Sequence, residues 1–196
     1  PKILTVATSV LLAAGSLAAS AENIISQLGS DIDGEATDDN SGSSVSLSSD
    51  GTRVAIGARD NDGGGSNSGH VRIYDWNGTA WAQAGSDIDG EAAGDGFWTS
   101  VSLSSDGTRV AIGAANNDGT GSNAGHVRVY DWTNGAWVQA GSDIDGEAAN
   151  DYSGSSVSLS SDGTRVAIGA PYNKENGWNS GHVRIYDWTD GAWVQA

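Results

Sequence analysis

Cysteine and methionine are absent from this sequence, phenylalanine occurs once, and only nine residues carry a lysine or arginine side chain. Each shortage excludes something. Without cysteine there is no disulfide staple, so stability rests on packing or on bound ions. Without methionine and with a single phenylalanine, the usual filling of a thick helical core is missing. Nine basic against 25 acidic residues leave a formal charge of −16. That balance disfavours duplex DNA, RNA and anionic lipid and favours cations and basic surfaces. What the chain has instead is 29 glycines and eight tryptophans within a 37% hydrophobic composition. This suits many short strands joined by turns, in a length sufficient for one domain.

The opening residues, PKILTVATSVLLAAGSLAASAE, place Lys2 before a run of small and aliphatic residues ending in Ala19-Ser20-Ala21. That is the pattern of a secretory leader, so residues 1–21 are expected to be a signal peptide cut after Ala21, and the protein to be secreted or displayed at the cell surface. The apolar run is short and broken by Thr, Ser and Gly, which argues against a membrane anchor. The chain starts with Pro rather than Met, so a few upstream residues are expected to be missing.

Self-comparison gives the organisation of the rest. SLSSDGTRVAIGA occurs three times, around Asp50, Asp106 and Asp162, and GHVR(I/V)YDW three times, around His70, His126 and His182. Each interval is 56 residues, without insertion or deletion. A fixed period of this size marks one supersecondary unit used repeatedly. Within a unit, SSVSLS alternates Val45 and Leu47 with serines, TRVAIGA follows Asp50-Gly51, HVRIYDW is β-branched and aromatic, and AWAQAG follows Asn77-Gly78. Period-two alternation and hairpin dipeptides predict four antiparallel strands, A to D, in a meander. No window carries the 3.6-residue apolar period of a helix. The expected fold class is all-β: a β-propeller of three four-stranded antiparallel blades, about 30–85, 86–141 and 142–196, with a stacked solenoid of sheets as the alternative.

The order SVSLSSDGTRVAIGA, GHVRIYDW and a closing Trp, in three copies, resembles the FG-GAP repeat, the blade unit of integrin-α-type propellers and of many secreted bacterial proteins. The resemblance covers everything after the leader. It departs at the Phe-Gly pair that names the repeat, which reads Ser41-Gly42, Phe97-Trp98 and Ser153-Gly154 here. Residues 23–29 align with strand D, Ile25 with Trp81 and Gln27 with Gln83, and are expected to complete a closing blade. Propellers close with about four to eight blades, so the three present are expected to be a fragment of a ring that the resemblance puts at about seven. The unpaired edges then call for the missing blades of the same chain or for self-association.

The D-to-A loops, GSDIDGEATDD, GSDIDGEAAGD and GSDIDGEAAND, gather four acids at positions 1, 3, 5 and 9. These are Asp31, Asp33, Glu35 and Asp39, then Asp87, Asp89, Glu91 and Asp95, then Asp143, Asp145, Glu147 and Asp151. In a meander they share one end of the blades with the B-to-C loops. Hard oxygens at that spacing suit Ca²⁺, which makes the twelve acids candidate ligands. Integrin-type calcium loops have glycine at position 6, whereas these have Gly34, Gly90 and Gly146 at position 4. Those loops also occupy the A-to-B hairpin, which here offers only Ser46, Ser48 and Asp50. The competing reading is a solvated acidic turn.

His70, His126 and His182 fall once per blade and read as packing or hydrogen-bonding groups. Arg53, Arg109 and Arg165 read as partners of a neighbouring acid, and the paired tryptophans as inter-blade packing. The sequon Asn77-Gly78-Thr79 occurs in one copy only. Near-identical blades repeat the same residues rather than assembling unlike catalytic ones, so no enzyme activity is expected. SSDGT resembles the Asp-box turn of sialidase-type propellers but lacks the residue between Asp and Gly. Variation between copies sits in the B-to-C loops and at the start of strand A, where Phe97, Trp98, Tyr172, Lys174, Glu175 and Trp178 are the candidate contact residues for a protein or carbohydrate ligand. The alternatives are an array that spaces other domains, or the propeller part of a longer extracellular hydrolase.

Overall fold

A computed structural model of the protein describes residues 26–196; the leader expected over 1–21 lies outside the described residues. The first sheet runs β1 (Ser41–Leu47), β2 (Arg53–Ala58), β3 (His70–Trp76) and β4 (Trp81–Gln83), with β5 (Ile88–Asp89) also paired to β3. The second comprises β6 (Thr99–Leu103), β7 (Arg109–Ala114), β8 (His126–Thr133) and β9 (Ala136–Gln139), with β10 (Ile144–Asp145) returning to β8. The third is β11 (Ser156–Leu159), β12 (Arg165–Ala170), β13 (His182–Thr189) and β14 (Ala192–Gln195). All neighbours are antiparallel. One turn of 3-10 helix, Asp95–Trp98, precedes β6. Among the described residues no helix is long and apolar enough to cross a membrane.

The three sheets are blades of a β-propeller. They approach one another most closely along their first strands, β1 against β6 and β6 against β11. The Leu103 amide donates to Ser46 Oγ at 2.9 Å and the Leu159 amide to Ser102 Oγ at 3.0 Å. Successive side chains point to opposite faces along each strand, so each blade offers one apolar set to each neighbour. Val101 and Leu103 share a core with Val71 and Ile73 of the preceding blade, and Val157 and Leu159 with Val127 and Val129. Burial of each such side chain is worth about 1.5–3 kcal/mol. At the outer faces the same positions meet no neighbour among the described residues: Val45 is 64% exposed, against 9% for Val101, and Val183 is 65% exposed, against 0% for Val127.

Each seam is pinned by an arginine. Arg53 forms a bidentate pair with Asp75 (2.5 and 2.7 Å), donates through a terminal nitrogen to the Gly107 carbonyl of the next blade at 2.9 Å, and lies over the Trp132 and Trp137 rings. Arg109 repeats this with Asp131, Gly163, Trp188 and Trp193. Trp137 and Trp193 return hydrogen bonds across the seam, Nε1 donating to the Ala84 carbonyl at 2.9 Å and to the Ala140 carbonyl at 3.0 Å. Trp81 donates likewise to Leu28 O at 3.2 Å. Residues 26–29 thus meet the tryptophans as the end of a strand D does, although they belong to no sheet.

Three local expectations change. The A-to-B turn is not a two-residue hairpin on Asp50-Gly51: Ser48 N pairs with Arg53 O, enclosing four residues of which only Gly51 has positive φ. The reason is the Asp50 carboxylate, which bonds Thr52 and Ser48 and so holds Asp50 itself outside the left-handed region. The C-to-D turns on Asn134-Gly135 and Asp190-Gly191 do have two positive-φ central residues. In the first copy the Asn-Gly pair stands one residue earlier, so the two residues enclosed are Gly78 and Thr79, of which only Gly78 has positive φ, and Asn77 Oδ1 accepts from the Thr79 and Ala80 amides. Lastly, the acidic loop is partly strand. Ile88-Asp89 and Ile144-Asp145 pair with β3 and β8, and the glycines after them pass so close to the preceding blade that a Cβ would run into the Ser68 or Ala124 carbonyl oxygen.

Removing a seam arginine is expected to cost more than removing its copy at the outer face. The Arg109 side chain is 13% exposed and its partner Asp131 36%, whereas that of Arg165 is 58% exposed. In denaturant melts Arg109→Ala is expected to lose about 1–3 kcal/mol, below the usual cost of breaking a fully buried pair because Asp131 is partly solvated. Arg165→Ala is expected to melt with the wild type.

Candidate functional site

The D-to-A and B-to-C loops meet at one end of the blades because a buried asparagine ties them together. Asn61 Nδ2 donates to Asp39 Oδ2 at 3.0 Å, Asn117 to Asp95 at 2.9 Å, and Asn173 to Asp151 at 2.8 Å. The acids at position 9 are therefore interior clamps, themselves buried. The asparagines had a signal in the sequence: they recur unchanged in loops whose neighbouring residues vary.

The remaining acids do not close around a common point within their own loop. Asp31, Asp87 and Asp143 each accept from the glutamine four residues earlier, at 2.7, 2.5 and 2.6 Å. Asp33, Asp89 and Asp145 have exposed side chains and use their carbonyl oxygens to receive Arg72, Arg128 and Arg184. Glu35, Glu91 and Glu147 face the same arginines at 3.1, 3.2 and 3.6 Å.

Acids from successive loops do converge, on histidines. His70 Nδ1 lies 3.9 Å from Glu35 Oε2 and 3.7 Å from Asp87 Oδ2; His126 Nδ1 lies 3.9 Å from Glu91 and 3.5 Å from Asp143. In the third blade Glu147 and Glu175 gather at His182. Burial, and then the Arg128 charge, hold the His126 imidazole below its ordinary pKa and hence towards the neutral form.

The loops of the second and third blades also form a cleft of about 330 Å³ lined by Asn116, Asn150, Tyr152, Tyr172, Lys174 and Asn179. The Tyr152 and Tyr172 rings meet edge to face, centroids 5.2 Å apart. Lys174 Nζ stands 4.9 Å over the Trp178 ring, which is 82% exposed. Asn116 gives its Nδ2 to Asn123, while its buried Oδ1 has no partner. Tyr152 sits at φ 55, a left-handed conformation that costs a bulky residue about 1–3 kcal/mol. The corresponding residues of the earlier copies are Asn40, left-handed at φ 53 and of a type that tolerates it, and Gly96, which lies in the 3-10 turn and does not share the conformation. Of the contact residues expected from sequence, Tyr172 and Lys174 line the cleft and Trp178 flanks it. Glu175 goes to the histidine cluster. Phe97 and Trp98 have their backbone in the 3-10 turn, and their side chains lie outside the described ones.

The A-to-B hairpin, where integrin-type blades carry calcium, does not suit an ion here. Oδ1 of Asp50, Asp106 and Asp162 already accepts from a threonine amide, a threonine hydroxyl and a serine hydroxyl. Bonds to Ser160 and Thr164 bring the Asp162 carboxyl from 3.8 down to about 2.

Residues 143–186 match the FG-GAP repeat family. No curated protein sequence matches the chain. Among solved structures, a Bacteroides uniformis protein described as a candidate 6-phosphogluconolactonase superposes with a TM-score of 0.51 at 13% identity, over 78% of this chain and 39% of its own. The β-propeller domain of Myceliophteria thermophila Cps50 (Swd1) gives 0.46 at 16% identity, over 78% and 36%. That of the Pyrococcus furiosus Trilobed protease gives 0.44 at 14%, over 76% and 41%. The chain thus spans less than half the length of each.

The depressed Asp162 carboxyl sets a pH dependence. Its folded value lies below the unfolded one, so its contribution is present above pH 3.8 and is lost as the pH falls through about 2. Asp162→Asn is expected to melt below the wild type at pH 7, and the gap to close across that window in melts run from pH 7 to pH 2.

Proposed function

We infer that this chain, a run of FG-GAP β-propeller blades, is a recognition module that binds a protein or carbohydrate ligand at the loop end of the blades, in the cleft between the second and third. The observation that carries this reading is Tyr152. A bulky side chain is held in a left-handed backbone that the first copy gives to Asn40, a residue type that tolerates it, and that the second copy avoids by turning into a 3-10 helix at Gly96. The tyrosine pair offers a rigid apolar surface with hydroxyl groups, the usual chemistry of contact sites. Asn150 and Asn179 supply amides and Lys174 a charge. Such a set suits the hydroxyls and apolar face of a neutral sugar ring, or a polar protein loop. The leader-like opening residues support action outside the cytoplasm, where such ligands are displayed.

The test is binding to an array of neutral oligosaccharides, together with adhesion of cells to the immobilised protein. The paired substitution Tyr152→Gly with Tyr172→Ala is expected to weaken binding at least tenfold, about 1.4 kcal/mol, while the melting temperature holds or rises as the backbone strain is relieved. A module that only spaces other domains would bind neither surface, or bind unchanged by the substitutions.

A further inference from the structure

We propose that each seam between blades holds a divalent cation of the zinc class, ligated by the histidine that opens the third strand of one blade, the glutamate of that blade's own leading loop and the aspartate of the next loop. The sets are Glu35, His70 and Asp87 at the first seam and Glu91, His126 and Asp143 at the second.

The imidazoles point to a ligand. The side chains of His70 and His126 are 2% exposed, and among the described residues neither Nδ1 makes a hydrogen bond. Two carboxylate oxygens stand 3.5–3.9 Å from each Nδ1, longer than a hydrogen bond. Two ligand atoms about 2.0–2.2 Å from one tetrahedral ion stand about 3.3–3.6 Å apart, and wider bond angles open this towards 3.9 Å. A nitrogen of a buried imidazole thus has one carboxylate oxygen from each of two successive loops within 3.5–3.9 Å, close enough for all three to reach one ion after a small adjustment of the exposed carboxylates. At the third blade His182 Nε2, buried and without a partner, faces Glu147 Oε2 at 3.7 Å, and Glu175 supplies the second carboxylate.

The donor set selects the class of ion. Calcium and magnesium take oxygen ligands, whereas one imidazole with two carboxylates suits zinc and its neighbours. Glu35 and Glu91 give their other oxygen to Arg72 and Arg128, an outer contact of the kind that orients a metal-bound carboxylate. Two carboxylates and one guanidinium leave a net negative charge for the ion to balance. The carboxylates are 29–47% exposed at the seam mouth, which gives an ion a path in and leaves a fourth position to water. Because the aspartate belongs to the following loop, the ion ties two blades together independently of the ligand cleft.

The experiment is calorimetric titration of the chelator-treated full chain with Zn²⁺, with Co²⁺ absorption as the spectroscopic readout. At least two ions per chain are expected, with a higher melting temperature and no displacement by millimolar Ca²⁺. His126→Gln and Asp143→Asn are each expected to remove one equivalent and to weaken the cobalt spectrum, with far-ultraviolet circular dichroism unchanged. Absence of Zn²⁺ uptake at 100-fold excess, a stoichiometry unchanged in both folded variants, or displacement by Ca²⁺ would overturn the proposal.

Discussion

The blades hold their relative positions through one side chain used the same way at each seam. A single guanidinium closes its own sheet onto an aspartate of the neighbouring strand, reaches a carbonyl in the next blade, and fills the face of that blade's tryptophan pair. Arginine suits this because its donors are fixed in a plane: the edge of the fork satisfies the carboxylate while the face rests on the indoles. Lysine would offer one point charge and no face. The apolar residues on either side supply most of the burial energy, but burial is non-directional. The directed bonds set the register, and the loop clusters and the cleft inherit that register.

Much of the scaffold was legible in the sequence because it depends on local rules. Val45 and Leu47 alternate with serines, and β1 forms there; His70 to Trp76 is β-branched and aromatic, and β3 spans those residues. Turn chemistry was legible only where the turn residues had no competitor. Asn134-Gly135 takes two positive-φ residues as expected, whereas Asp50 has Ser48 and Thr52 within reach and folds around its own carboxylate. The Asn-Gly of the first copy looks equivalent to the others until it is counted against the flanking tryptophans, when it proves to stand one residue early.

The acids show what reading along the chain leaves out. Positions 1, 3, 5 and 9 suit one ion's shell by spacing, while the carboxylates at 1, 5 and 9 have partners that the spacing does not reveal. Asp39 meets an asparagine 22 residues on, and Glu35 an arginine in the third strand of its blade. Proximity comes from the meander returning to the same end, and from the next blade's loop lying beside it. Tyr152 was invisible for a different reason. Nothing in its own loop marks it, and its meaning emerges only from the backbone conformation that it shares with Asn40 of the first copy.

The cleft draws on two copies at once: Asn116 from one blade and Tyr172 from the next are the same repeat position, presented from opposite walls. Because the repeat places one such position on every blade, a change copied to all blades alters both sides of the hollow at once, whereas a change in one copy alters a single side.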